Sequence, residues 1–193
     1  MPPPTANEIK TQLVALFTPV IGTSGTKKTK ILDYLPLAFL VPEHEDISAL
    51  RSLLDTVTLA SGGTDKRVNC LLIVEDGFSQ SPPQQDSTRT ITSPRGRNLI
   101  TRRFRLWYLL QFGEGSEATN STNVEVMRTT LNSNPKLGFA TAAASGKADK
   151  GEYVRDHGGL QVVTMLPVSF SGTICHVTEA TLDVRVIEPL EVR

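Results

Sequence analysis

The sequence has little of what most chemistries require. Its 193 residues include two cysteines, three histidines, three methionines and one tryptophan, and only 6% are aromatic. Two cysteines, Cys70 and Cys175, are too few for a disulfide scaffold and read as small core residues in a reducing compartment. Net charge is also missing, with 20 Lys+Arg against 20 Asp+Glu. Neither half departs from that balance: residues 1–96 carry 9 basic and 10 acidic groups, and residues 97–193 carry 11 and 10. This removes the simplest electrostatic case for a protein that coats nucleic acid or an anionic membrane. No apolar run approaches the roughly 20 residues of a membrane helix; the longest, Leu35 to Pro42, is broken by proline. The opening Met-Pro-Pro-Pro-Thr lacks the basic and apolar regions of a signal peptide. The expectation is a soluble chain made in a cytoplasm, with a leaderless export route as the formal alternative. The sequon Asn120-Ser121-Thr122 is then without meaning.

What is plentiful is Ser and Thr (36 together), with 14 Gly and 12 Pro, a composition of turns, exposed strands and long loops. The apolar share of 39% suffices for one core, so residues 1–193 read as a single domain. Thr5 and Glu8 have capping-box spacing, and Ile9, Leu13, Leu16 and Phe17 follow as a helical stripe that Pro19 ends. Ile47, Leu50, Leu54 and Val57 suggest a second helix, preceded by Glu43, Glu45 and Asp46 and closed by Gly62-Gly63. Val68 to Val74 reads as a strand buried on most of both faces. Asn98 to Phe112 reads as a long strand with Phe104, Leu106, Tyr108, Leu110 and Phe112 on one face. Arg103, Arg105, Trp107 and Gln111 take the other. Between them, Gly77 to Pro94 has no apolar periodicity and reads as a projecting hairpin loop. Thr122 and Glu125 suggest the start of a third helix with Val124, Met127 and Leu131 inward and Asn134-Pro135 as its stop. Gly138 to Gly151 is small and basic, a linker by composition. Leu160–Val168 and Thr173–Ile187 read as closing strands, the last with Leu182, Val184 and Val186 alternating against Thr181, Asp183 and Arg185. The fold class is α+β: an antiparallel or mixed sheet flanked by two or three helices.

Catalytic and ligand motifs are scarce. Gly22-Thr-Ser-Gly-Thr-Lys27-Lys28-Thr29 resembles a phosphate loop, but Lys27 fills the place where that loop needs glycine, and the segment follows a helix. A solvated loop is the better reading. Cys175 and His176 are neighbours on a strand and point to opposite faces, so they cannot share a metal. His44 lies among Glu43, Glu45 and Asp46, which a charged helix start explains more cheaply than a ligand set. Asp156-His157-Gly158-Gly159 puts a titrating pair on a turn, and the turn is its expected role. No catalytic, metal or cofactor site is expected, and hence no enzyme.

One dense feature remains: Arg95, Arg97, Arg102, Arg103 and Arg105, with no acid between them, then Trp107 and Tyr108. Basic residues beside aromatics on a strand can bind nucleic acid through phosphate contact and stacking. The competing explanation is that alternate arginines take the wet face of a hairpin and pair with acids of a neighbouring strand. Neutral total charge favours pairing. A subunit interface or a channel lining would also use such a strand, so Arg95, Arg97, Arg102, Arg103, Arg105 and Trp107 are the candidate interface or lumen residues.

In sequence order, the capped first helix, Cys70-Leu-Leu-Ile-Val-Glu75-Asp-Gly77, Arg102-Arg-Phe-Arg-Leu-Trp-Tyr108, Leu131-Asn-Ser-Asn-Pro-Lys-Leu-Gly138, Leu160-Gln161 and Ala180-Thr-Leu-Asp-Val-Arg-Val186 follow one another. This order resembles the tail-terminator (tail completion) proteins of tailed bacteriophages, over most of the chain outside residues 18–66 and 77–94. The resemblance implies a homohexameric ring in the virion neck that caps the tail tube, ends its polymerisation and joins it to the head-tail connector. Its partners would be further copies of itself, the tail tube protein and the connector or stopper, with genomic DNA passing through the lumen unbound. It implies no membrane, cofactor or catalysis. A head-side connector or stopper is the nearest alternative, and a nucleic-acid-binding module on the Arg95–Arg105 strand is the alternative of a different class.

Overall fold

Among the described residues of the computed structural model, these helices and strands follow one another: α1 (Ala6–Phe17), β1 (Lys30–Leu32), β2 (Leu54–Thr58), β3 (Thr64–Ser81), β4 (Arg97–Gln111), α2 (Ser116–Asn132), α3 (Lys150–Tyr153), β5 (Val154–His157), β6 (Gln161–Phe170) and β7 (Thr173–Pro189). The structure describes residues 2–22, 29–34, 54–58, 64–81, 97–140, 150–170 and 173–189. The strands form one seven-stranded sheet around three long antiparallel members in the order β3-β4-β7. β1 runs parallel to β3 at Cys70–Leu72, so the sheet is mixed. β2 forms an antiparallel pair with Thr64–Val68, and β5 and β6 both pair with β7 along its edge away from β4.

The described helices α1 and α2 lie on one face. Thr5 accepts the Glu8 N–H and the Glu8 carboxylate accepts the Thr5 N–H, which closes the expected capping box and starts α1. The helix then buries Ile9, Leu13 and Phe17 and continues through Pro19 as a π-helical turn, Thr18–Gly22. α2 buries Val124, Met127 and Leu131 beside them. Both pack on Leu71 and Ile73 of β3, the even-numbered row Phe104 to Leu110 of β4, and Ala180 to Val186 of β7. Fully burying one such Leu, Ile or Phe side chain contributes about 1.5–3 kcal/mol, so this layer is the main source of cohesion. A smaller cluster occupies the other face: Leu32, Val68, Cys70, Leu72, Leu109, Cys175 and Val177, with Trp107 against it.

Several expectations need correction. Leu54 to Thr58 is a strand, although Leu54 and Val57 fit a helical period; Thr56, Val57 and Thr58 are β-branched, and pairing with β3 decides the matter. The proposed loop 77–94 begins later, because β3 stays paired with β4 through Ser81. α2 begins at Ser116, six residues before Thr122, with a left-handed Gly115 as its N-cap and no side-chain cap. Asp156-His157 belongs to β5, where a turn was expected. β1 and the four-residue α3 were not expected at all. Residues 35–53, 82–96 and 141–149, with His44, Arg95 and most of the expected second helix, loop and linker, lie outside the described residues.

Candidate functional site

The long strand β4 alternates as expected. Phe104, Leu106, Tyr108 and Leu110 turn toward the helices, while Arg103, Arg105 and Trp107 turn to the opposite face. On that opposite face the arginines meet acids of the two flanking strands. Arg103 donates to both oxygens of Asp183, Nε to Oδ1 at 2.8 Å and Nη2 to Oδ2 at 3.0 Å. Register places these two residues directly opposite each other. The guanidinium draws the Asp183 carboxyl below its ordinary range, and Asp183 in turn raises Arg103. Arg105 donates to Asp76 at 2.8 Å, lies 3.4 Å from Glu179, and stands over the Trp107 ring at 5.5 Å. One step outward, Arg185 of β7 pairs with Asp156 of β5.

Arg102 faces the helix side of the sheet. It pairs with Glu75 at 2.8 Å and lies 6.0 Å from the exposed Phe78 ring. The structure thus brings Arg103, Arg105 and Trp107 together on one face and separates Arg102 from them. Arg97 belongs to β4, and only its backbone is described; Arg95 precedes the described part of the strand. Within the chain, Arg102, Arg103 and Arg105 are each matched by a carboxylate. Such exposed pairs contribute little to stability, and they leave little unbalanced positive charge on the described part of the strand.

Other polar constellations are structural. His157 Nδ1 accepts the Gly159 N–H at 3.1 Å, so Nε2 carries the proton and donates to the Leu131 carbonyl at 3.1 Å. This caps the C-terminal end of α2, and Asp156 meanwhile binds Arg185. The two residues of the expected titrating pair thus serve different neighbours. Cys175 is buried in the smaller cluster, while His176 faces the helices and stacks on Phe112 with ring centroids 4.9 Å apart.

Sequence reasoning missed one pair, Ser116 with His176, whose Oγ and Nε2 are 2.9 Å apart. Ser116 Oγ also accepts the Gly113 N–H at 3.0 Å and donates to the Gly113 carbonyl at 2.7 Å. With its proton directed at that carbonyl, the hydroxyl accepts a hydrogen bond from the His176 Nε2–H and donates none to the ring. Activation of serine as a nucleophile requires the reverse polarity. A 30 Å³ cavity beside it, lined in part by Asn69, Gln111 and Glu114, has room for about one water. Among the described residues no three His, Cys, Asp or Glu side chains are placed to hold a metal ion, and no helix is long and apolar enough to cross a membrane.

Two surfaces stand out by being apolar. An open groove of 690 Å³ runs between the turn after α1 and the outer face of α2, lined by Val20, Thr122, Glu125, Val126, Thr129 and Asn134, among others. Larger in consequence is the β6–β7 hairpin. Register puts Met165 on the helix side, and Leu166 and Val168 on the other; all three are exposed, as is Val163 within the bulge between Val162 and Thr164. Ile174 joins them on β7. From Gln161 to Thr178 there is no Asp, Glu, Lys or Arg, in a chain that is 21% charged.

No known protein family matches this chain, and no curated protein matches it.

Proposed function

We propose that this chain is a structural virion protein that assembles as a homohexameric ring at the top of a phage tail tube. There it ends tube polymerisation and joins the tail to the head-side connector. The chain acts by shape and surface complementarity, with DNA passing through the lumen and no catalytic step. The observation that carries this reading is the β6–β7 hairpin, which exposes apolar side chains on both faces and bears no charge over 18 residues. Soluble monomers rarely present such an element, whereas an assembly covers it with neighbouring copies or partners. The ion-paired arginines of β4 give a second support: a lumen wall on which positive charge is balanced lets DNA slide without gripping it. The element order that resembles tail terminators supports a place in the neck of the virion.

The test is the mass of the purified chain together with its position in the particle. The expected species is six copies of 21.0 kDa, located between tail tube and connector. A chain that stays single at every concentration, or a location outside the neck, overturns the reading.

A further inference from the structure

We infer that copies of this chain join head to tail by strand addition, the outer edge of β6 in one copy pairing antiparallel with β3 residues 73–81 of the next. The inference rests on the ring reading above and specifies which surfaces close the ring. Two sheet edges are open among the described residues, and they lie at opposite ends of the strand order. β6 pairs with β7 along one side only. β3 pairs with β4 from Asn69 to Ser81, while on its other side β1 covers only Cys70–Leu72. Ile73 to Ser81 therefore has backbone groups on that side with no described strand to receive them.

An open edge is a template for another strand, and proteins that remain single protect it with lysine, proline, strong bulging or a covering segment. β6 carries two of these, a single proline, Pro167, and one bulge at its start. It has no lysine or other charge and no covering strand among the described residues, so Met165 to Phe170 beyond the bulge is only lightly protected. Its exposed side chains stand on both faces, Met165 at 48% and Leu166 at 57%, as they would beside a strand that is missing. The β3 edge has a matching character. Its carboxylates Glu75 and Asp76 are already bound by Arg102 and Arg105 of the same copy, so no unpaired charge meets the incoming apolar strand. Phe78, 70% exposed, offers apolar area there.

Strand direction supplies the decisive argument. Successive neighbours β3, β4, β7 and β6 alternate in direction, so β6 runs opposite to β3. A second copy placed in the same orientation beside β6 presents its β3 antiparallel to it, which continues the ladder without a break. Because the two edges differ, the contact is heterologous, and its repetition closes a ring when the rotation per copy is a whole fraction of a turn, one sixth in the ring proposed above. A twofold β6–β6 contact would close at two copies and leave both β3 edges open.

Two measurements on the full chain decide this. First, the variants Met165→Cys and Phe78→Cys are treated, singly and mixed, with a short bismaleimide. The native thiols are buried and stay silent. Cross-linked dimers are expected in the mixture and not from either variant alone; dimers from Met165→Cys alone would show the twofold contact and overturn the inference. Second, Val163→Lys with Leu166→Lys, which places charge on the edge, is expected to reduce the assembly from six copies to one with an unchanged circular dichroism spectrum. A folded lysine variant that still assembles overturns strand addition and leaves the ring reading standing. A wild-type chain that never assembles overturns both.

Discussion

Arg103 and Asp183 face each other across β4 and β7 and share two parallel hydrogen bonds, of 2.8 and 3.0 Å. The pair is partly exposed and screened by water, so it adds little to stability. Arg103→Ala is expected to leave the urea denaturation midpoint nearly unchanged. It should also let the Asp183 carboxyl rise toward its ordinary range, because the largest cause of its depression, the hydrogen bond from Arg103, is gone. A carboxyl NMR titration reads this, and an unmoved Asp183 would show that another group holds it.

The same pairing bears on nucleic acid. With Arg102, Arg103 and Arg105 each bound to a carboxylate of the same chain, the isolated protein is expected to give no salt-sensitive shift of DNA. Binding that weakens steeply with salt and disappears in the triple alanine variant would instead favour the nucleic-acid-binding module.

Glu8 provides a pH dependence with a definite sign. Its carboxyl is lowered from 4.5 to about 2, first by the hydrogen bond from Lys150 and then by the backbone N–H of Thr5. A carboxyl depressed on folding adds stability that is fully present above its unfolded value and is lost as pH falls through the folded one. The contribution should therefore fade between about 4.5 and about 2. Glu8→Gln is expected to flatten the stability profile in that window, and an identical slope in both proteins would remove Glu8 from the account.

Cys70 and Cys175 lie on β3 and β7, with β4 between them. Two strand spacings separate them by about 10 Å, beyond disulfide reach. Burial pushes both thiols up, that of Cys175 to about 12. The native chain is expected to show almost no fast-reacting thiol to a disulfide reagent, and both thiols once denatured. Rapid reaction of either in the native state would contradict its placement.

Gly151 donates to the Ala140 carbonyl at 2.9 Å, and a Cβ built on it would stand 2.5 Å from that oxygen and 2.8 Å from the Phe139 oxygen. Both obstacles are backbone. Gly151→Ala should cost about 1–3 kcal/mol, the usual scale of overpacking, measured by the denaturation midpoint. A midpoint like that of the wild type would mean that residues 139 and 140 can yield.

Much of this architecture is written locally. Thr5 with Glu8 starts α1 because a cap and its reciprocal bond span three residues. The alternation from Arg103 to Leu110 divides β4 into a core face and an ionic face because strand side chains change sides at every step. The three inward residues of α2 were legible for the same reason, although its first turns were not. There Ser116 and Asn120 are buried through bonds to Gly113 and Thr178, so a hydrophobic period cannot register them. Leu54–Thr58 and Lys30–Leu32 are strands only because β3 is beside them, and no short window contains that partner. The arginine cluster divides in the same way. Its residues and spacing were plain in sequence, but only the register with β3 and β7 decided which carboxylate each one meets. The uncharged run from Gln161 to Thr178 was present in the sequence throughout; its position at an edge of the described sheet, set by contacts distant along the chain, is what singles it out for the assembly proposed above.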